Sequence, residues 1–212
     1  MGSARTKRLI DLAVAVPAFA VSLPVQGAIA VLVARKLGRP VLFRQRRPGL
    51  HGRPFTMVKF RTMLAPDPAA GRVDDADRMT AFGAALRATS LDELPTLFNV
   101  IRGDMSLVGP RPLLMQYLDR YTPEQARRHE VRPGLTGLAQ VSGRNAIEWD
   151  DKLTLDVEYV DRRSLRLDLR ILLLTVRQVV RRDGITAPGH VTTAEFMGSR
   201  AADDHLAAGA AT

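Results

Sequence analysis

The sequence predicts a predominantly helical α+β protein, in which an N-terminal re-entrant membrane helix leads into a β-hairpin and a small helical domain. Three observations carry this expectation. The 23 residues from Leu12 to Ala34 include no charged side chain. Two short runs rich in β-branched and aromatic residues enclose a Pro- and Gly-containing connection at positions 47–54. Amphipathic stretches with helix start and stop signals fill most of the remaining chain. With 212 residues, 46% hydrophobic and 25% charged, the chain has the make-up of one globular domain with an appendage, not of a disordered or fibrous protein. It divides into 1–39, the membrane helix with its basic flanks; 40–200, a cytosolic domain; and 201–212, a small, polar and flexible tail.

The absence of cysteine excludes disulfides, thiolate nucleophiles and Cys-ligated metals, and His51, His129, His190 and His205 are far apart in sequence. Any metal must therefore be held mainly by oxygen. The excess of 31 basic over 22 acidic residues, a net +9, points to an anionic partner. Nucleic acid is disfavoured, because it leaves the apolar run unexplained and aromatics, at 5%, are too few for a stacking platform.

The apolar run would form about 35 Å of helix, enough to reach across a hydrocarbon core. Lys7 and Arg8 precede it and Arg35, Lys36 and Arg39 come after it. Basic residues at both ends satisfy the positive-inside preference only if both ends stay on the cytoplasmic side, which favours a re-entrant hairpin over a kinked spanning helix. Ser22 and Pro24 supply a hinge: the proline removes a backbone donor, and the serine hydroxyl can satisfy a freed carbonyl. Pro17 allows a second bend. A cleaved signal peptide is disfavoured by the length of the run and the lack of an Ala-x-Ala context.

Beyond the basic flank, residues 41–46 and 55–61 read as the two strands of the hairpin. Residues 65–77 contain two prolines, one glycine and four aspartates and read as a solvated loop, in which Asp74, Asp75 and Asp77 are better explained by exposure than by metal binding. Helices are predicted over 78–87, over 91–102 with Gly103 as the stop, and over 123–129, where Thr122, Pro123 and Gln125 form a capping box. Two more are predicted over 148–162 and 167–182. The last is amphipathic and arginine-rich, suited to a core or a bilayer surface.

The chemistry concentrates in Ser90-Leu91-Asp92-Glu93-Leu94-Pro95 and in Gly103 to Pro112. Ser90 and Glu93 read as a capping box, with Asp92 in the first turn gaining from the helix dipole. The same placement would keep Asp92 ionised and exposed, as a carboxylate nucleophile or a magnesium ligand requires. Pro110-Arg111-Pro112 fixes the backbone on both sides of a guanidinium, a rigid mount for gripping phosphate. Residues 132–137 and 142–145 are Gly-containing loops that each carry an arginine, Arg132 and Arg144. Together with Lys59, Arg61 and Arg87 they could neutralise a diphosphate. No Walker A loop or dinucleotide fingerprint is present.

In this order, the basic-flanked apolar segment with Ser22 and Pro24, Lys59-Phe60-Arg61-Thr62-Met63, Ser90 to Pro95, Gly103 to Pro112 and Arg132 to Asn145 resemble the bacterial sugar transferase family, the monotopic phosphoglycosyl transferases. The similarity is closest to the short PglC-type members and runs from about Lys7 to Gly198. It implies transfer of a sugar 1-phosphate from a UDP-sugar to polyprenyl (undecaprenyl) phosphate, releasing UMP, at the cytoplasmic face of the bacterial inner membrane. It also implies a re-entrant helix. Asp92 would be the nucleophile that forms a covalent phosphosugar intermediate in a ping-pong reaction, Glu93 its partner, and Mg²⁺ would rest against both. Arg111 would hold phosphate, with Lys59, Arg61, Arg87 and Arg144 as further donor-site cations. The donor expected is a UDP-2-acetamido sugar of the diacetylbacillosamine type, the alternative being glucosyl- or galactosyl-phosphate priming. Membrane lipids are further partners, and a homodimer is left open. A noncatalytic membrane scaffold would explain the apolar run but not the acidic pair.

Overall fold

The structure is a computed structural model that describes residues 2–143, 147–181 and 195–199. The tail expected over 201–212 and Arg144 lie outside the described residues. Helix α1 (Gly2–Lys36) leads into an antiparallel hairpin, β1 (Leu42–Pro48) and β2 (Pro54–Phe60). Then come α2 (Asp75–Arg78), α3 (Ala81–Ala88), a 3-10 segment at Leu91–Thr96 and α4 (Leu97–Arg102). Strand β3 (Ser106–Val108) pairs in parallel with β4 (Gly134–Thr136), and between them lie a 3-10 turn at Met115–Arg120, α5 (Pro123–Ala126) and another turn at Arg127–Glu130. Helices α6 (Leu138–Ser142), α7 (Trp149–Arg162) and α8 (Leu165–Arg181) complete the described chain.

The predominantly helical α+β architecture, the apolar N-terminal helix and the hairpin are as the sequence predicts. Several local expectations are corrected. The hairpin extends two residues further than predicted, so Arg47 is in β1, opposite Phe55, and not in the turn. The acidic stretch is not wholly loop, because Asp74 and Asp77 form the capping box of α2. The helix expected over 91–102 begins as 3-10 turn, because Pro95 lacks the N–H that an α-helix needs there. The β3/β4 pair and α6 have no sequence signature; three-residue strands and a five-residue helix are too short to show a period.

Helix α1 is uninterrupted through Pro17 and Pro24. Ser22 Oγ donates to the Phe19 carbonyl at 2.9 Å and accepts from Gln26 Nε2 at 2.9 Å, a short polar relay beside Pro24. One stripe of the helix docks on the rest of the protein along its length: Asp11, Ala15, Gln26, Ile29 and Val33 are buried on α1, and Leu37 just beyond it. Ala15 joins a core with Leu97, Val100, Met105, Leu107, Tyr159 and Ile171, while Ile29, Val33 and Leu37 pack with Phe60 and Leu86. The outer face keeps Leu9, Val14, Val21, Leu23, Val25 and Val31 exposed.

The first basic flank is not free to face lipid head groups. Lys7 Nζ pairs with Asp168 Oδ2 at 2.7 Å, and Arg8 donates to the carbonyls of Val100 and Ile101 at 2.6 and 2.7 Å, capping the C-terminal end of α4. Asp11 accepts from Ser106 Oγ at 2.8 Å and from the Leu107 amide at 3.1 Å. Tyr159, buried on α7, donates to Asp168 Oδ1 at 2.7 Å. A closed polar network therefore ties the start of α1 to β3, α7 and α8.

Candidate active site

The hairpin and the 91–102 segment build the site together. Thr96 Oγ1 donates to the Val58 carbonyl at 2.8 Å; Asn99 accepts from the Val58 amide at 3.1 Å and donates to the Thr56 carbonyl at 2.8 Å. These three bonds staple the segment to β2 and bring Asp92 beside Lys59, 4.0 Å between Oδ2 and Nζ. Helix α3 supplies Arg87. A Cβ on Gly83 would lie 1.7 Å from the Thr62 carbonyl oxygen, so only glycine lets α3 press against the end of β2. That contact puts Arg87 Nε 3.0 Å from Thr62 Oγ1.

Ser90 has φ 55° and makes no side-chain cap, so the expected Ser90–Glu93 capping box is absent. Glu93 instead accepts from Arg111 Nη2 at 2.7 Å. Nor is Asp92 exposed, as a helix-start position suggested; it is 4% exposed. Burial, then the charge of Glu93, push its carboxyl up to about 6, opposed by Lys59, Arg111 and Arg87. Burial lowers the pKa of Lys59 and of Arg87, and Asp92 resists both shifts. Arg111 is raised, chiefly by Glu93. These side chains line one cleft of about 1520 Å³, with Asp92 reachable from it. A buried carboxylate ringed by cations can approach a phosphorus atom that its own charge would otherwise repel.

The Arg111 mount is held from behind. Arg128, 2% exposed, donates through Nη2 to the Arg111 carbonyl at 2.7 Å and to Asp156 Oδ2 at 2.6 Å. Sequence reasoning misses both residues, although Asp156 carries a signal: it interrupts the buried stripe of Leu153, Val157 and Val160 on α7. It also misses Arg47, which lines the cleft from β1. Arg61 reaches the cleft margin, but its guanidinium donates to the carbonyls of Leu37 and Arg39 at 3.5 and 3.2 Å, away from the dyad.

The family described as bacterial sugar transferase matches residues 2–182. The chain belongs to this family. It is 53% identical over 194 residues to the uncharacterized sugar transferase EpsL of Bacillus subtilis, an alignment covering 91% of this chain and 96% of that protein. It is 43% identical over 189 residues to a UDP-glucose:undecaprenyl-phosphate glucose-1-phosphate transferase of Caulobacter vibrioides, covering 84% of this chain and 70% of the relative. An undecaprenyl-phosphate galactose phosphotransferase of Salmonella typhimurium is 39% identical over 196 residues, covering 84% of this chain and 41% of the longer relative.

Within this sugar transferase, no group of three or more His, Asp or Glu side chains gathers as a metal cage among the described residues. Asp92 and Glu93 could contribute two carboxylates from one turn. That donor set suits Mg²⁺, which keeps several waters and takes substrate phosphate oxygens, and would not suit a cation that needs a full protein cage.

Proposed function

We propose that the protein transfers a hexose 1-phosphate from a UDP-sugar to polyprenyl phosphate, releasing UMP. The observation that carries this reading is Asp92: a buried carboxylate, bordered by Lys59, Arg87, Arg111 and Glu93, opening on a cleft large enough for a nucleotide sugar. In the first step an Asp92 oxygen attacks the sugar-bearing phosphorus, the P–O bond to UMP breaks, and an aspartyl phosphosugar forms. In the second, a phosphate oxygen of the lipid attacks the same phosphorus and frees Asp92. Both steps bring anion onto anion, so Lys59, Arg87 and Arg111 act by neutralising charge as it gathers in the transition state. Glu93, fixed by Arg111, orients the incoming acceptor phosphate. Mg²⁺, held by Asp92 and Glu93, would draw charge off the diphosphate.

UDP-glucose or UDP-galactose is the proposed donor, because the named activities of the relatives specify those sugars; the acetamido sugar expected from short family members gains no support from them. The protein is proposed to sit on one membrane face. One stripe of α1 packs on the rest of the protein while its outer face stays apolar and exposed, which favours a helix embedded in one membrane face, and the exposed Leu165, Leu169, Leu173 and Val176 of α8 add an apolar surface near the α1 start, next to the Lys7–Asp168 bond. Purified protein incubated with Mg²⁺ and UDP-glucose, UDP-galactose or UDP-N-acetylglucosamine in separate reactions, without lipid, should gain one phosphohexose in intact mass, mapped to Asp92, with UDP-glucose or UDP-galactose and no adduct with UDP-N-acetylglucosamine. A mass that never shifts with any donor would sink the covalent route.

A further inference from the structure

Arg47 is a cation of the cleft to which the described residues give no carboxylate. It lies in β1 and lines the same cleft as Asp92, Glu93, Arg111 and Arg128. Its Nη2 donates to Gln45 Oε1 at 2.6 Å and its Nη1 to the Pro112 carbonyl at 3.4 Å, while Nε is buried without an acceptor among the described residues. The two neighbouring guanidiniums are provided for: Arg111 has Glu93 at 2.7 Å, and Arg128 has Asp156 at 2.6 Å. Three guanidiniums thus meet around the 110–112 segment with carboxylates for two. Burial and the repulsion of Arg111 lower the Arg47 pKa to about 10, so it stays charged at neutral pH against both. A half-buried charge that no carboxylate balances is unfavourable until an anion arrives.

We propose that Arg47 and Arg111 form a phosphate subsite of the cleft, the protein supplying two cations and one carboxylate so that a bound phosphate oxyanion completes the balance. The ligand class is a phosphate ester or diphosphate, which the UDP-sugar and the polyprenyl phosphate supply alike. Gln45 and the Pro112 carbonyl each take one donor of the Arg47 guanidinium and hold it at the cleft wall, leaving one further N–H on each Nη for the ligand. This deepens the proposed function, because it rests on the same cleft receiving phosphate.

The test uses the sole tryptophan, Trp149, which lines the cleft and reports binding by fluorescence without turnover. The full-length protein in detergent is titrated with inorganic diphosphate, UDP and uridine. Arg47→Gln should weaken diphosphate and UDP on the order of tenfold or more and leave uridine unchanged; Arg47→Lys should fall between. Arg46→Gln, which removes the same charge from an exposed position on the same strand, should stay within twofold. Equal diphosphate affinity in Arg47→Gln and wild type, or an equal loss in Arg46→Gln, overturns the subsite. Where Arg47→Gln fails to match the wild-type thermal unfolding, the Arg47→Lys titration decides. The half-reactions separate the two sources: slowed adduct formation from UDP-sugar assigns the donor diphosphate, and slowed discharge of a preformed adduct by polyprenyl phosphate assigns the acceptor. A wild type that forms no adduct with any donor defeats the proposed reaction, while the titration still judges Arg47.

Discussion

Two groups of buried carboxylates behave in opposite ways. At the start of α1, Asp11 and Asp168 are saturated: they receive bonds from Ser106, the Leu107 amide, Lys7 and Tyr159, all between 2.7 and 3.1 Å. In the cleft, Asp92 is as deeply buried as Asp11, yet its one ionic partner among the described residues is Lys59 at 4.0 Å, the limit of an ion pair. Saturation marks a carboxylate that holds structure, because its lone pairs are already committed. Asp92 is left without such saturation and electrostatically unfavourable when ionised, which suits the nucleophile role proposed for it. The contrast assigns stability to one group and chemistry to the other, and each assignment can be broken separately.

The largest effect should be on chemistry. Asp92→Asn should lower UMP release by roughly 10³-fold or more and abolish the adduct, since an amide oxygen is not a competent nucleophile. The same change should raise thermal stability in EDTA at pH 7. The Asp92 pKa is held above its ordinary value, so its carboxyl opposes folding once ionised, by on the order of 1–3 kcal/mol at 4% exposure. A variant that loses activity and melts earlier would count against this. Chelation should match Asp92→Asn in abolishing adduct formation, with recovery on adding Mg²⁺.

Asp11→Asn and Lys7→Met should show the reverse pattern, unfolding earlier by about 1–3 kcal/mol while still forming adduct at a rate within a fewfold of wild type. Thermal unfolding and single-turnover mass spectrometry on the same samples read both quantities. Arg128→Lys lies between the two classes. Lysine keeps a charge for Asp156 but cannot also reach the Arg111 carbonyl with the same forked geometry, so the rate of adduct formation should fall about tenfold with a smaller loss of stability. An unchanged rate would show that Arg111 needs no support from behind.

What is legible in the sequence rests on period and on local chemistry. The charge-free run predicts α1, the β-branched and aromatic runs predict the hairpin, and Thr122 with Gln125 predicts the capping box of α5, which is present. Asp92, Glu93, Lys59, Arg87 and Arg111 are candidates by residue type, the family resemblance gives them their expected roles, and the fold brings them to one cleft. The misses share one cause, tertiary contact. No local rule says that Lys7 and Arg8 are used by Asp168 and the end of α4, or that Ser90 takes a left-handed conformation and leaves Asp92 buried. Arg47 reads as a turn residue because Pro48 and Gly49 come next, and its role emerges only from the company it keeps around Pro112.

The smallest effect concerns His129, a half-buried polar group of opposite sign to Asp92. Its Nε2 has no partner among the described residues, and burial, then the charge of Arg128, lower its pKa to about 4. The unfolded chain therefore takes up a proton near pH 6.5 that the folded protein refuses, and stability conferred by neutral His129 is lost as pH falls from 6.5 toward 4. Its size is on the order of 1–2 kcal/mol at about pH 5. Asp92 works the other way: its raised pKa means that the folded protein regains stability as pH falls through about 6. In wild type the two slopes partly cancel in metal-free buffer. Asp92→Asn should expose the His129 loss as a steeper fall in melting temperature between about pH 7 and 5, and His129→Gln should flatten or invert the wild-type profile. If both variants track wild type across that interval, neither Asp92 nor His129 is linked to folding as the geometry requires.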